Sequence, residues 1–139
     1  VRYDCLQPHY NLVHRGEFER EHRAVCEKYG LGVIPYSPIA GGLLSGKFGR
    51  DQKGQEGSRR ITFDFPPVNL DRAYDCIDAM RPIARRMGVS VTQIALAWLL
   101  HQQQVTSVIA GAKRCTAAAQ VVVAKARRGS GVPVRRPWE

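Results

Sequence analysis

The chain has 139 residues, 44% hydrophobic and 24% charged, with 13 glycines and 8 prolines. Such a chain can bury roughly two-thirds of its unfolded surface in one domain, which excludes general disorder and a disulfide miniprotein. The formal net charge is +9, but residues 113–139 hold seven of the 21 basic residues and one of the 12 acidic ones. The body is nearly balanced, which argues against nucleic-acid binding by the chain as a whole.

The longest apolar candidate, Ile94 to Leu100, falls far short of the ~20 residues of a membrane helix. Val1-Arg2-Tyr3-Asp4 does not make a signal peptide. The cysteines at 5, 26, 76 and 115 form no CxxC pair, and the histidines at 9, 14, 22 and 101 complete no metal set. Isolated cysteines of this kind are expected to be free thiols in a reducing compartment, which points to the cytoplasm.

Tyr3 to Gln7 reads as a short strand closed by Pro8. Residues 16–30 read as a helix with Phe18, Val25, Cys26 and Tyr29 as its apolar face and Gly30 as its stop. Leu31 to Tyr36 is a buried-strand candidate that ends near Pro35. Strand, helix and strand with tight connections predict a parallel sheet. Residues 37–68, rich in glycine and without periodicity, read as a functional loop. Helical spacing returns at Leu70, Ala73, Tyr74, Ile77, Met80, Ala84 and Met87, with Pro82 expected to kink or divide the helix.

Gly88 stops that helix, and Ser90 with Gln93 forms a capping box before Ile94-Ala95-Leu96-Ala97-Trp98-Leu99-Leu100. Val105 to Ala110, closed by Gly111, is a third strand candidate. Thr116 to Ala124 is compatible with a helix, although three valines weaken it. Ala126 to Glu139 reads as a disordered basic tail.

Gly41 to Lys47 satisfies G-x-x-x-x-G-K, the phosphate loop of nucleotide hydrolases. That loop needs a Ser or Thr hydroxyl for magnesium at the next position, and Phe48 stands there. A helix should also follow, and none is predicted. Small residues after a strand, with one lysine, still suit close approach to an anion.

Taken together, YSPIAGGLLSGK at 36–47 resembles the seventh-strand segment of the aldo-keto reductases, which are NADPH-dependent (β/α)8 barrels. LQPHYNLVHR at 6–15 is similar to the sixth strand and its turn, and EREHRAVCEKYGLGVIPYSP to the helix entering the seventh. VTQIALAWLL and VTSVIAGAKR are similar to the last helix and the eighth strand. The resemblance runs over residues 3–114 and is nearest to the branch related to potassium-channel β subunits. It implies an α/β fold, namely the C-terminal half of a (β/α)8 TIM barrel with parallel strands alternating with helices, over 1–114. Residues 115–139 would then be a divergent, disordered basic tail of the kind a reading-frame change or an unrelated replacement produces.

The resemblance further implies an NADP(H) site and, in the complete enzyme, a small carbonyl substrate. Tyr36 would stack on the nicotinamide and Gln7 would bond its carboxamide. Ser37, Pro38, Ile39 and Ala40 would wrap the pyrophosphate, with Lys47 and Arg59 on the phosphates. Gly111 and Lys113 would meet the adenosine phosphate. All fall at strand C-terminal ends, where barrel ligands bind. By residue type alone Tyr36 equally suits a core-filling aromatic, while Cys5, Cys26, His9 and Trp98 read as structural and His14-Arg15 as a turn cap.

The family's catalytic Asp, Tyr, Lys and His belong to the first half of the barrel, so no residue here is expected to be catalytic and no metal is expected. Ala117 and Val121 stand where the family has a Gln and an Asn at the adenine end. Three parallel strands would expose an unpaired edge, which favours self-association. The alternative is a non-catalytic binding module whose basic tail contacts nucleic acid or acidic partners, with salt-sensitive affinity.

Overall fold

The computed structural model describes residues 2–51, 59–62 and 67–111. The expected helix at 116–124 and the basic tail lie outside the described residues.

Strands β1 (Cys5–Leu6) and β2 (Gly32–Val33) pair in parallel, Cys5 opposite Gly32 and Leu6 opposite Val33. Hydrogen bonding continues past the regular strands. The N–H groups of Gly32, Ile34 and Tyr36 donate to Asp4, Leu6 and Pro8 carbonyls at 2.9, 2.9 and 3.0 Å. His9 then bridges Tyr36 in parallel. The strands are shorter than predicted because Pro8 and Pro35 bring no N–H to a ladder, although their carbonyls still accept.

The third predicted strand is reduced further. Val105 makes one parallel bridge to Val33, Thr106 N–H donates to Val33 O at 2.9 Å, and Ile109 N–H to Pro35 O at 3.1 Å. Even-numbered residues of 32–36 turn their N–H groups to β1, so the missing donor of Pro35 falls on the side of residues 105–109. A continuous ladder cannot form there.

The predicted first helix opens with a wide π-helical turn, Phe18–His22, and continues as α1 (Arg23–Tyr29). It ends at Gly30, whose φ of 63° is the left-handed stop the sequence suggested. Phe18 and Cys26 are buried, but Val25 and Tyr29 are 47% and 58% exposed, so half of the predicted apolar face stays open.

Helix α3 (Leu70–Met87) starts on Asn69, whose side chain accepts from Arg72 N–H at 3.0 Å. Pro82 lies inside this one helix, so of the kink or division expected there the division does not occur. Pro82 and Asp78 are exposed, so the Asp78 carbonyl that lost its donor faces water rather than the core. Helix α4 (Val91–Leu100) carries the predicted capping box: Gln93 N–H donates to Ser90 Oγ at 3.2 Å, and Ser90 N–H to Gln93 Oε1 at 2.8 Å.

The stretch read as a functional loop contains short 3-10 turns within Ala40–Ser45, interrupted by left-handed Gly41 and Gly42, and a single turn, α2 (Arg59–Thr62), packed against them. Leu43, Leu44 and Phe48 join Ala73, Ile77 and Met80 of α3 and Ala95 of α4 in one core. Tyr10, Phe18, Cys26, Val33, Leu99 and Val105 form a second core beneath the parallel segments. The glycine-rich stretch is therefore pinned by its own leucines, and the two cores meet at α4.

Candidate functional site

Parallel pairing sends the ends of three segments the same way, so Gln7, Tyr36 and Gly111 follow their strands at a common end of the sheet. Gln7 is exposed, Tyr36 half-buried and Gly111 exposed. Tyr36 thus does not disappear into the core, which favours a ring presented at the surface over a core-filling one.

The four residues after Tyr36 form a strained turn. Ser37 and Ala40 hold φ of 53° and 50°, values that L residues adopt at a cost of about 1–2 kcal/mol each. Hydrogen bonds stabilise the turn. Ala40 N–H donates to Ser37 O at 3.0 Å, and Gly41 N–H to Ser37 Oγ at 3.2 Å. Pro38 and Ala40 are buried, with Ile39 half-buried against the core of Leu43 and Ile77 and against Leu96 and Leu100 of α4. The turn closes at Gly46, where a Cβ would sit 3.0 Å from Val91 Cβ at a φ of 80°. Only glycine fits there without displacement.

This turn is supported by His9, which the sequence marked as structural, by His14, read there as part of a turn cap, and by Asn11, to which the sequence assigned no role. His9 stacks on Tyr36 with ring centroids 5.2 Å apart, and His14 stacks on His9 at 3.9 Å. Asn11 is fully buried, and its Nδ2 donates to Ser37 O at 3.0 Å. Burial first, and then the neighbouring His14, lower the His9 pKa from 6.5 to about 4, with Glu17 opposing them. The ring is therefore neutral at physiological pH. The signal that could have found these residues was the every-second spacing of Gln7, His9 and Asn11.

Of the predicted phosphate-binding cations, Lys47 is exposed just beyond the turn. Arg59 opens α2, with its side chain outside the described residues, and Lys113 lies outside them altogether. Sequence reasoning missed Arg60, which is buried on the same turn. Arg50 is held away by Asp71 and Asp75 of α3, at 3.0 and 2.6 Å. Phe48 is buried in the core, so the position that a hydrolase phosphate loop needs for a hydroxyl is committed to packing.

Among the described residues no group of three or more His, Cys, Asp or Glu is arranged to hold a metal, and no helix is long and apolar enough to cross a membrane. A groove of about 680 Å³ lies elsewhere, lined by Arg2, Tyr3, Val25, Lys28, Tyr29 and Leu31. It is at the opposite end of β1 from Gln7.

The model of the Aldo/keto reductase family matches residues 1–127. A probable voltage-gated potassium channel subunit beta of Oryza sativa subsp. japonica is 33% identical over 111 residues, which cover 78% of this chain and 34% of that protein. The L-glyceraldehyde 3-phosphate reductase of Escherichia coli (strain K12) is 30% identical over 112 residues, 78% of this chain and 32% of its own length. The NADH-specific methylglyoxal reductase of the same strain is 32% identical over 109 residues, 78% of this chain and 33% of its own. In structure, a glycerol dehydrogenase from Gluconobacter oxydans aligns with a TM-score of 0.57 at 23% identity, over 91% of this chain and 43% of that one. The chain therefore spans about a third of the curated relatives it matches, and its fold is part of their α/β barrel.

Proposed function

This chain belongs to the aldo/keto reductase family, and we propose that it forms the cofactor-binding half of an NADP(H)-dependent carbonyl reductase. One observation carries the reading. A half-exposed Tyr36 leads directly into a hydrogen-bonded turn with left-handed Ser37 and Ala40, at the same sheet end as the exposed Gln7 amide. The residues fit a nicotinamide dinucleotide: a ring to stack on, an amide to pair with a carboxamide, and a tight turn that close-packed side chains hold in place.

In this reading Tyr36 is the platform and Gln7 the orienting group. The backbone of Ser37, Pro38, Ile39 and Ala40 lies along the pyrophosphate, and Lys47 and Arg59 neutralise phosphate charge. Gly111 leaves room at the end of the third segment, and Lys113 supplies a further cation for the adenosine phosphate. Arginine suits such a role because its planar fork holds two phosphate oxygens at once. These cations favour NADPH over NADH. When bound, the cofactor supplies the hydride that reduces a small carbonyl compound to an alcohol. The proton for the alcohol oxygen comes, in this reading, from residues outside these 139, and the chain alone does not turn over substrate. Free Cys5, Cys26 and Cys76 agree with a reducing, cytoplasmic setting.

The open face formed by Tyr3, Val25 and Tyr29 also supports self-association of the isolated chain. The test of the cofactor reading is to graft residues 1–114 onto the N-terminal half of a related reductase and titrate NADPH and NADH. The graft should bind NADPH more tightly, and Arg59→Ala should narrow the gap. Equal affinities in the unmutated graft would remove the NADP(H) assignment. Robust aldehyde reduction by the ungrafted chain would show that the catalytic groups are within it.

A further inference from the structure

We propose that Asn11 is a positioning residue that holds the Tyr36–Ser37 step in its ligand-ready geometry. The proposal rests on the reading of Tyr36 and Ser37 as cofactor contacts. The Asn11 side chain is fully buried and uses both ends of its amide. Its Oδ1 accepts from the N–H groups of Val13 and His14 at 3.0 and 2.9 Å. Its Nδ2 donates to Ser37 O at 3.0 Å and lies 3.2 Å from His9 Nε2.

Those partners leave one orientation. Val13 and His14 offer only backbone donors and Ser37 only a carbonyl acceptor, so reversing the amide would oppose like groups at both ends. The second Nδ2 hydrogen must then find a lone pair on His9 Nε2, which fixes His9 as the neutral tautomer protonated at Nδ1. His14, Glu17 and Tyr36 are the titratable groups beside it. Asn11 thereby grips two consecutive residues of the turn. It holds Ser37 directly by its carbonyl and Tyr36 through the stacked ring of His9.

The direct contact matters because Ser37 is left-handed. A serine released from Asn11 gains by relaxing to negative φ, which rotates its carbonyl and moves the turn that follows. An ordinary buried hydrogen bond would be indifferent to that conformation. Asn11 should instead become dispensable once residue 37 prefers positive φ by itself.

The experiment uses the full 139-residue chain, with Asn11→Asp, Ser37→Gly and the double variant. Asp keeps the two accepted bonds and cannot donate. NADPH affinity, read by fluorescence titration, should weaken ~10-fold or more in Asn11→Asp, the scale of one lost hydrogen bond. Ser37→Gly removes the Oγ that accepts from Gly41 N–H and so sets its own baseline, against which adding Asn11→Asp should weaken binding less than about threefold. Without cofactor, nitrogen NMR of His9 should report an Nδ1-protonated neutral ring in the parent, with its midpoint moved up in Asn11→Asp as Nε2 gains a carboxylate partner. If Asn11→Asp does not fold, Asn11→Ser, too short to reach Ser37, is expected to follow the same pattern. Unchanged binding in Asn11→Asp, or a loss that Ser37→Gly does not relieve, overturns the proposal. If the parent chain binds no NADPH, the cofactor reading fails by itself. Asn11 is then judged on the His9 and Ser37 resonances, whose indifference to Asn11→Asp would also overturn it.

Discussion

Glu19 shows how much one carboxylate can organise. It accepts from Tyr10 Oη at 2.9 Å and from Arg15 Nε at 2.8 Å, and Arg23 lies 3.4 Å away. Arg15 in turn covers the Trp98 ring at 5.2 Å, so polar and apolar contacts share one cluster. Hydrogen bonds from Arg15, ahead of Tyr10, hold the Glu19 carboxyl below its ordinary range, while burial and Glu19 push the Tyr10 phenol up to about 12. Glu19→Ala strands the Tyr10 hydroxyl and one face of Arg15, and should cost about 2 kcal/mol in urea unfolding at pH 7. His9 works in the opposite sense from a gained ion pair. Its folded pKa is near 4 against 6.5, so the unfolded chain takes up the proton first as pH falls. Its contribution is complete above pH 6.5 and declines from there towards pH 4. His9→Phe should flatten the slope of stability against pH across that window, as measured by urea midpoints at pH 7, 5.5 and 4.5. An unchanged slope would mean that His9 titrates alike in both states.

Among the elements, α3 departs most from expectation. Its continuity through Pro82 is matched by burial on both sides of the proline, Ala73, Ile77 and Met80 before it and Ala84 after it. Because Pro82 lies on the exposed face, it contributes little packing. Pro82→Ala should raise stability by about 2 kcal/mol: the ~3 kcal/mol interior penalty is removed, less about 1 for the freer unfolded chain. Thermal melts of the two proteins check this, and a lower melting temperature in the variant would mean that the ring itself is packed. The turn at 37–46 owes its order to Leu43, Leu44 and Phe48 anchoring it from below. That anchoring includes left-handed Ala40, which is buried in the same core.

Across the fold, one end of the parallel segments carries the candidate site and the other an open groove. Tyr3 is 78% exposed there, beside Val25 and Tyr29, flanked by Arg2 and Lys28. Among the described residues β1 pairs on one side alone, and an unpaired edge next to apolar surface invites another chain. In sedimentation equilibrium the isolated chain should associate with rising concentration, and Val25→Glu should shift it towards monomer. Association that ignores Val25→Glu would place the contact elsewhere.

The features legible in the amino acids were those that act over one or two turns. Gly30 and Gly88 stop helices, and Ser90 with Gln93 caps one, because each satisfies or frees backbone groups within four residues of itself. Phe48 likewise ruled out a hydrolase phosphate loop by its side chain alone. The segments around Gln7, Tyr36 and Gly111 were recognisable because strand, turn and glycine signals are equally local. The third strand shrank to a bridge because Pro35, far away in sequence, withholds a donor at that edge. Val25 and Tyr29 stayed open because helical periodicity marks an apolar face without saying what covers it. Asn11 was unreadable for the same reason: its partner Ser37 is 26 positions away. No local pattern carries the information that two residues so far apart in sequence meet in the fold.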